Sequence, residues 1–391
     1  MLKDYYTEKL LGLKDIILEK VEENENTRHI FLRMPQRIHI CPRCGTHTSK
    51  VHDYRIQKVK DIPSFGLSTI LHIRKRRHVC PYCNKKFYEN IEFLPRYQHT
   101  TNRLWAYTLS LLSQPRSMSN IADHIGLSGV SVARILDVAS HSLTNLPEVL
   151  AIDEFRGNSG NEKFQTILTN PKKREVLDIL PTRKQEDLCS YFSRFNNRNN
   201  VKYVVMDMSS NFRSMAKSCF PRATIIADKY HVVRQVTWAF ENVRKHVQKS
   251  FGKGRRKYFK RSRRLLLMAP DKLTPSQLEE VSRMLSLSKE LALAYHLKNE
   301  FYRFMKSKDR INAKKSLSNW YLLVGVSNID AFNKCISTFS NWQEEILNAF
   351  DTGLTNGYTE GCNNKIKVIK RNAYGMRNFI RFRKRILISM T

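Results

Sequence analysis

The chain has 391 residues, enough for about two to four domains with real hydrophobic cores. Its 68 Lys and Arg against 35 Asp and Glu give a formal net charge of +33. That excess is too large for an ordinary cytosolic enzyme and points to a polyanionic partner, above all nucleic acid. A ribosomal protein would share the charge but rarely so many aromatic residues. No apolar run approaches the roughly 18 residues of a membrane span, and the N-terminus is charged, unlike a signal peptide. The protein is therefore expected to stay in the compartment that makes it. Of eight cysteines, four form two C-x-x-C pairs and four are scattered at Cys189, Cys219, Cys335 and Cys362. This usage fits a reducing compartment and one metal site.

In chain order, a helix is predicted over Tyr6–Lys14, then strands at Ile16–Leu18 and Ile30–Leu32. Cys41-Pro-Arg-Cys44 and Cys80-Pro-Tyr-Cys83 follow as two knuckles. Together they supply four thiolates for one closed tetrahedral Zn²⁺ site, the alternative being four free buried thiols. The stretch between them has room for a hairpin. Arg74-Lys75-Arg76-Arg77 on its second strand suggests a phosphate contact or a solvated edge. His47, His52 and His78 have no ligand spacing that competes with the cysteines and are expected at the surface or facing DNA. Residues 1–95 thus form an N-terminal segment with a zinc ribbon.

Residues 96–146 change to helical periodicity. Ile121, Ala122, Ile125, Leu127, Val132, Ile135 and Leu136 would pin two short helices together, with Gly126 at the turn and Ser128 capping the second. This has the form of a DNA-binding helix-turn-helix, against a plain helical hairpin. Ser131 and Arg134 would face a major groove.

From Glu148 strands alternate with helices: 149–155, 164–169 and 175–180, a helix over 184–195, then strands 201–207 and 223–228. Three antiparallel strands followed by two reached through helical crossovers describe an α/β sheet of the ribonuclease-H type. It would occupy residues 147–391 with an all-α insertion at about 240–350, built from helices near 276–306, 313–325 and 329–350. Within the insertion, Gly252–Arg264 holds eight basic residues and no acid. Arg255, Arg256, Lys257, Lys260 and Arg261 read as a backbone clamp on DNA or as a solvated helix face.

Asp153 and Asp207 end two of these strands, and Asp228 a third. Glu360 heads a long basic helix and is the last carboxylate of the chain. Acids at the ends of neighbouring buried strands can hold Mg²⁺ or Mn²⁺, with substrate phosphates and water completing the coordination. Glu360 would be the third ligand. Cys362, Ile366, Ile369 and Ala373 form an apolar stripe on its helix. Asn363, Asn364, Lys367 and Arg371 share the adjacent face, where Asn364, Lys367 and Arg371 would hold DNA. Each acid also has a simpler reading: Asp153 as a strand-end cap, with Glu154 the real ligand or neither, Asp207 as a helix cap, and Glu360 as a partner of the helix dipole.

Four blocks carry a family resemblance: Ala151–Phe155, Val205–Ser209, Asp228–Val233 and Asn356–Lys367. They resemble the signature blocks of ISL3-family insertion-sequence transposases, and the likeness extends over nearly the whole chain. It implies a DDE transposase with a ribonuclease-H-like catalytic domain. By position, the triad is Asp153, Asp207 and Glu360, using two Mg²⁺ or Mn²⁺ ions. Asp228 and His231 match an accessory D-x-x-H element. The resemblance further implies double-stranded DNA partners (element ends and target), a homo-oligomer of at least two chains, and a bacterial, nucleoid-associated location. A non-catalytic DNA-binding regulator and a nuclease without joining activity are the rival readings.

Overall fold

The computed structural model describes residues 9–157, 160 and 162–390. The chain falls into two compact units, Met1–His141 with Val368–Ser389, and Ser142–Lys367 with the two last residues. The helix expected over Tyr6–Lys14 begins outside the described residues; Lys9–Leu11 are helical. No helix among the described residues is long and apolar enough to cross a membrane.

In the first unit, β1 (Ile17–Glu23) pairs antiparallel with β2 (Thr27–Arg33). The small pair β3 (His39–Ile40) and β4 (His47–Thr48) follows. Then comes a long hairpin of β5 (Val51–Ser64) and β6 (Leu67–Val79), as the spacing predicts, and β7 (Lys86–Tyr88) adds to β6. Phe65 and Gly66 at its tip both adopt positive φ, 51° and 82°. That is the two-residue turn whose twist suits paired strands. β2 joins β6 in parallel, and Ile30, Leu32, Val59, Leu71 and Ile73 bury beneath them.

Three helices complete this part: α1 (Asn102–Ser113), α2 (Met118–Ile125) and α3 (Gly129–Val138). Ser117 and Ser128 cap the latter two through their hydroxyls, and Gly126 takes φ 65° between them. Ile121, Ala122, Ile125, Val132 and Leu136 form their shared core.

Two expectations about charge and burial fail in this unit. His78 is fully buried, its ring in tilted contact with those of His39 and Phe87, because the register of β6 turns it inward. Arg76 is also buried, its guanidinium on Glu89 at 3.2 Å and on the Met34 carbonyl at 2.9 Å. Arg74, two residues earlier on the same strand, is exposed, and Lys75 and Arg77 are half-buried, so Glu89 and the Met34 carbonyl single out Arg76.

In the second unit one mixed sheet has the order β10-β9-β8-β11-β12. Its strands are β8 (Val149–Arg156), β9 (Phe164–Asn170), β10 (Glu175–Leu180), β11 (Tyr203–Met206) and β12 (Thr224–Ala227). β8, β9 and β10 are antiparallel, while β11 and β12 run parallel to β8. This is the expected mixed α/β sheet. Leu150, Ile152, Val204 and Met206 pack on α4 (Gln185–Ser193) and α5 (Ser210–Cys219). Val149, Ala151, Val205 and Ile226 face the opposite side, so the central strands are apolar on both faces.

The long α6 (Lys229–Lys249) starts directly after Asp228. It opens a helical body of α7 (Lys253–Arg261), α8 (Arg263–Leu267), α9 (Pro275–Leu285), α10 (Lys289–Met305), α11 (Arg310–Ser327), α12 (Asp330–Asn341) and α13 (Gln343–Thr352). Two of the three helices expected here are each split. The first breaks where the Ser288 hydroxyl accepts from the Leu291 amide and caps a new start. The second breaks where Trp342 buries at the joint. The core of this body centres on Phe301, Phe304, Trp320, Phe332 and Phe339.

The basic C-terminal helix is also two: α14 (Gly357–Asn372) and α15 (Phe379–Met390), separated by left-handed Tyr374 and Gly375. Arg381 makes a forked pair with Asp137, at 2.9 and 2.7 Å. Arg385 is buried against the carbonyls of Gln114 and Arg116. Both cations are spent on partners within the first unit.

Candidate metal centres and nucleic-acid contacts

The two knuckles fold through their own backbone. The amide of Gly45 donates to the Cys41 carbonyl and that of Asn84 to the Cys80 carbonyl, both at 3.0 Å, with Gly45 and Asn84 at positive φ. These turns bring Cys41, Cys44, Cys80 and Cys83 together, all four sulfurs within 4.8 Å of one another. Cys41 Sγ lies 3.6 Å from Cys83 Sγ and Cys44 Sγ 3.5 Å from Cys80 Sγ. A tetrahedron of thiolates at about 2.3 Å from Zn²⁺ has edges of about 3.8 Å, so the cage fits the ion. Hydrogen bonding to the hydroxyl and amide of Thr46 holds the Cys44 thiol down, while burial and the neighbouring sulfurs push the Cys83 thiol up, as four crowded metal-free thiols must divide.

The second cluster is set by sheet register. In the parallel ladders, Ile152 pairs with Met206 and Met206 with Ala227. The next residue on each strand is Asp153, Asp207 and Asp228, so three carboxylates stand in a row across β8, β11 and β12. Strand spacing keeps such neighbours about 5 Å apart. Asp153 does not end its strand as expected. β8 runs on to Arg156 because β9 continues to pair with it, Asp153 opposite Ile167. What ends just before Asp153, at Ile152, is the pairing with β11.

Burial and mutual repulsion govern these acids. Asp153 is 7% exposed and Asp228 5%. Burial, reinforced by the charges of Asp228 and Glu154, pushes the Asp153 carboxyl up to about 7. Asp207 rises to about 8 through burial and then the charges of Asp153, Asp228 and Glu154. Burial also raises Asp228, opposed by the amides of Asn356, His231 and Tyr230. His231, in the first turn of α6, places Nε2 3.1 Å from Asp207 Oδ1. Burial holds its ring below the usual histidine range, with Arg234 adding to the effect and Glu360 opposing it. Asp207, Asp228 and His231 each offer a donor atom within 4.8 Å of the others. Asp153 and Glu360 lie outside that tightest set.

Glu360 sits half-buried in the first turn of α14. Three bonds hold the start of this helix to the sheet. The Asn356 amide donates to Asp228 Oδ1 at 3.0 Å, the Thr359 and Thr169 hydroxyls meet at 2.8 Å, and Asn363 Nδ2 donates to Asp153 Oδ2 at 2.8 Å. Cys362, Ile366 and Ile369 bury as the apolar stripe requires. Asn363, one turn beyond Glu360, is buried as well, and its bond to Asp153 goes beyond what its place on that face implies. The i, i+3 spacing from Glu360 is the signal that could have found it.

Among the described residues, three buried oxygens in this neighbourhood lack a hydrogen-bond partner: Asp207 Oδ1, Asn356 Oδ1 and Asn363 Oδ1. The His231 ring is close to the first of these but is not aligned as a donor to it. All three are acceptors. Uncompensated acceptors beside crowded carboxylates are what a hard divalent cation satisfies. The donor set therefore fits Mg²⁺ or Mn²⁺.

The expected DNA contacts are mostly at the surface. Arg255, Arg256, Lys257, Lys260 and Arg261 are exposed along α7, while Phe259 anchors that helix in the core. Asn364, Lys367 and Arg371 are exposed on α14, Lys367 donating to Asn364 Oδ1 at 3.1 Å. Arg134 is exposed on α3, and half-buried Ser131 meets the Ser128 hydroxyl at 2.9 Å.

Residues 150–386 match a protein family described as "Transposase", and residues 37–83 match one described as "zinc-finger of transposase IS204/IS1001/IS1096/IS1165". The chain is 29% identical over 391 aligned residues to a Bordetella parapertussis protein named as the transposase for insertion sequence element IS1001, covering 97% of this chain and 96% of that protein. It is 21% identical to the Mycobacterium tuberculosis transposase for insertion sequence element IS1557, covering 94% and 89%. A Lactococcus lactis subsp. lactis protein named "ATP-dependent protease" is 34% identical over 131 residues, 30% of this chain and 41% of that one.

Proposed function

The chain belongs to the ISL3 family of insertion-sequence transposases, and on that premise we propose a two-metal DDE enzyme that cuts and joins DNA at the ends of its own element. The observation that carries this reading is the register-aligned row of Asp153, Asp207 and Asp228, with partnerless oxygens around it. Asp153, Asp207 and Glu360 are the catalytic carboxylates, with Asp228 and His231 accessory to them. The sheet and its crossovers support a ribonuclease-H-like catalytic domain.

Mg²⁺ or Mn²⁺, when bound, activates the attacking oxygen and stabilises the leaving one of an in-line phosphoryl displacement. The chain's own part is placement. The sheet fixes the separation of Asp153 and Asp207, and the bonds at Asn356, Thr359 and Asn363 fix where α14 presents Glu360. Exposed Lys367 and Arg371 on that helix, and the α7 cations, hold the DNA backbone. The zinc ribbon, together with α2 and α3 acting as a helix-turn-helix, binds the terminal inverted repeats. There Ser131 and Arg134 face the major groove. Pairing of two element ends calls for at least a dimer on DNA.

The test is incubation of purified protein with a labelled element end and Mg²⁺ or Mn²⁺. Cleavage followed by joining to target DNA is the expected result. Cleavage without a joined product would identify a nuclease, and end binding without cleavage a regulator.

A further inference from the structure

We propose that Asn363 is a positioning residue of the carboxylate site, its amide setting the Asp153 carboxylate through Nδ2 and completing the cation's donor set through Oδ1. The inference rests on the reading of that site as a divalent-cation site.

Asn363 is 5% exposed and donates from Nδ2 to Asp153 Oδ2 at 2.8 Å, across 210 residues of sequence. A carboxylate that holds a cation is ionised and only accepts, so in the metal-bound site Asp153 fixes which end of the amide faces it. Oδ1 must then point away from Asp153, and there it meets no donor although it is buried. A helix–sheet latch alone would leave that acceptor unsatisfied, an unfavourable arrangement in the interior. A neutral amide oxygen is a common partner of carboxylates around hard cations. It adds a ligand without adding charge to a row whose members already repel one another.

The placement of the amide is over-determined. Glu360 and Asn363 are three residues apart, so they share a face one turn apart. The rotation of α14 is fixed on either side by fully buried Thr359, paired with Thr169, and fully buried Ile366. The Asp153 carboxylate therefore receives two donors, the Glu154 amide at 2.7 Å and Asn363. One belongs to its own strand and the other to the helix that bears Glu360. Asn363 thus ties the first acid of the triad to the element carrying the last.

The experiment uses the full chain, with Mn²⁺ affinity by calorimetry and thermal unfolding with and without Mn²⁺ as readouts. Asn363→Ala is expected to keep a folded, zinc-loaded protein and to weaken Mn²⁺ binding about 10–100-fold, as loss of an outer-shell partner does. Asn363→Asp places a carboxylate where the donor was. Its metal-free form should melt below wild type, and Mn²⁺ should raise its melting temperature by more than it raises that of wild type. A purely structural latch gives no such reversal. Wild-type Mn²⁺ affinity in Asn363→Ala, with a wild-type Mn²⁺ shift in Asn363→Asp, overturns the proposal. If Asn363→Ala does not fold, the shift in Asn363→Asp decides alone. Asp207→Asn separates the two levels: if it too leaves Mn²⁺ binding intact, the carboxylate-site reading falls and takes this inference with it. If it abolishes binding while both Asn363 variants keep it, only the role of Asn363 falls.

Discussion

The cysteine cage of the first unit and the aspartate row of the second both gather ligand atoms, but their stabilities have opposite signs. The cage is closed: four soft donors from two local turns surround one position and leave no opening for substrate. The row is open. Hard donors from three strands crowd together, and burial keeps Asp153 and Asp207 protonated well above the ordinary carboxylate range. Removing a ligand from the cage takes away a staple. Removing one from the row is expected to relieve repulsion in the metal-free protein and to weaken its hold on a divalent cation. On the proposed reading, stability and chemistry come from different regions of one chain.

Several measurements would break or sharpen that contrast. The largest effect is expected at the cage. Cys80→Ser should drop bound zinc from about one per chain to none and lower the melting temperature of the first unit by on the order of 10 °C or more, read by metal analysis and thermal scanning. A fully stable zinc-free variant would show that the cage is not a staple. Next comes catalysis. Asp207→Asn or Glu360→Gln should reduce strand cleavage by at least about 10³-fold with element-end binding retained in a gel-shift assay. Retained cleavage would move the role to another acid, Asp228 first.

A smaller effect is the pH dependence of the metal-free protein. The Asp153 and Asp207 carboxyls bind their protons more tightly folded than unfolded. The stability they carry is therefore complete below the ordinary aspartate range, about pH 4, and is lost as pH rises through about 7 to 8. Melting temperature should fall over that window, Asp207→Asn should fall less steeply, and Mg²⁺ should flatten the wild-type curve. A rise with pH would contradict the crowding. The smallest effect is expected on the surface. Arg255→Ala with Arg256→Ala should lower the slope of log affinity for DNA against log salt by up to about 2, near 0.9 for each phosphate no longer neutralised.

How far each region can be read in one dimension follows from how it is built. The cage is local, so the doubled C-P-x-C spacing already contains its four ligands. The capping of α3 by Ser128 and the left-handed turn at Gly126 are legible for the same reason. The mixed sheet is legible because strands and helices alternate in period, and the aspartates stand at the ends of apolar runs. Strand ends themselves are less secure: β8 outlasts its parallel partner because β9 still pairs with it. Charge runs mislead most. Nothing in Arg74–Arg77 tells that Arg76 turns inward to Glu89, or in α15 that Arg381 finds Asp137. His78 misleads in the same way, because which face of β6 is covered depends on strands far away in sequence. Asn363 can be placed on its helix face, but its partner lies 210 residues earlier.

The helical body between the second and last acids leaves the sheet at Asp228 and returns at Asn356, and these two residues are hydrogen-bonded to each other. Just before its return, Asn348 Nδ2 donates to the Ile225 carbonyl at 2.8 Å, fastening the exit to the strand that supplied the departure. The intervening chain is in effect a loop whose ends are already closed by a clasp. Lengthening a closed loop costs little, about 0.6 kcal/mol for each doubling. Changing the length of this body therefore costs little closure entropy, while the clasp at Asp228 and Asn356 keeps the start of α14 tied to the sheet.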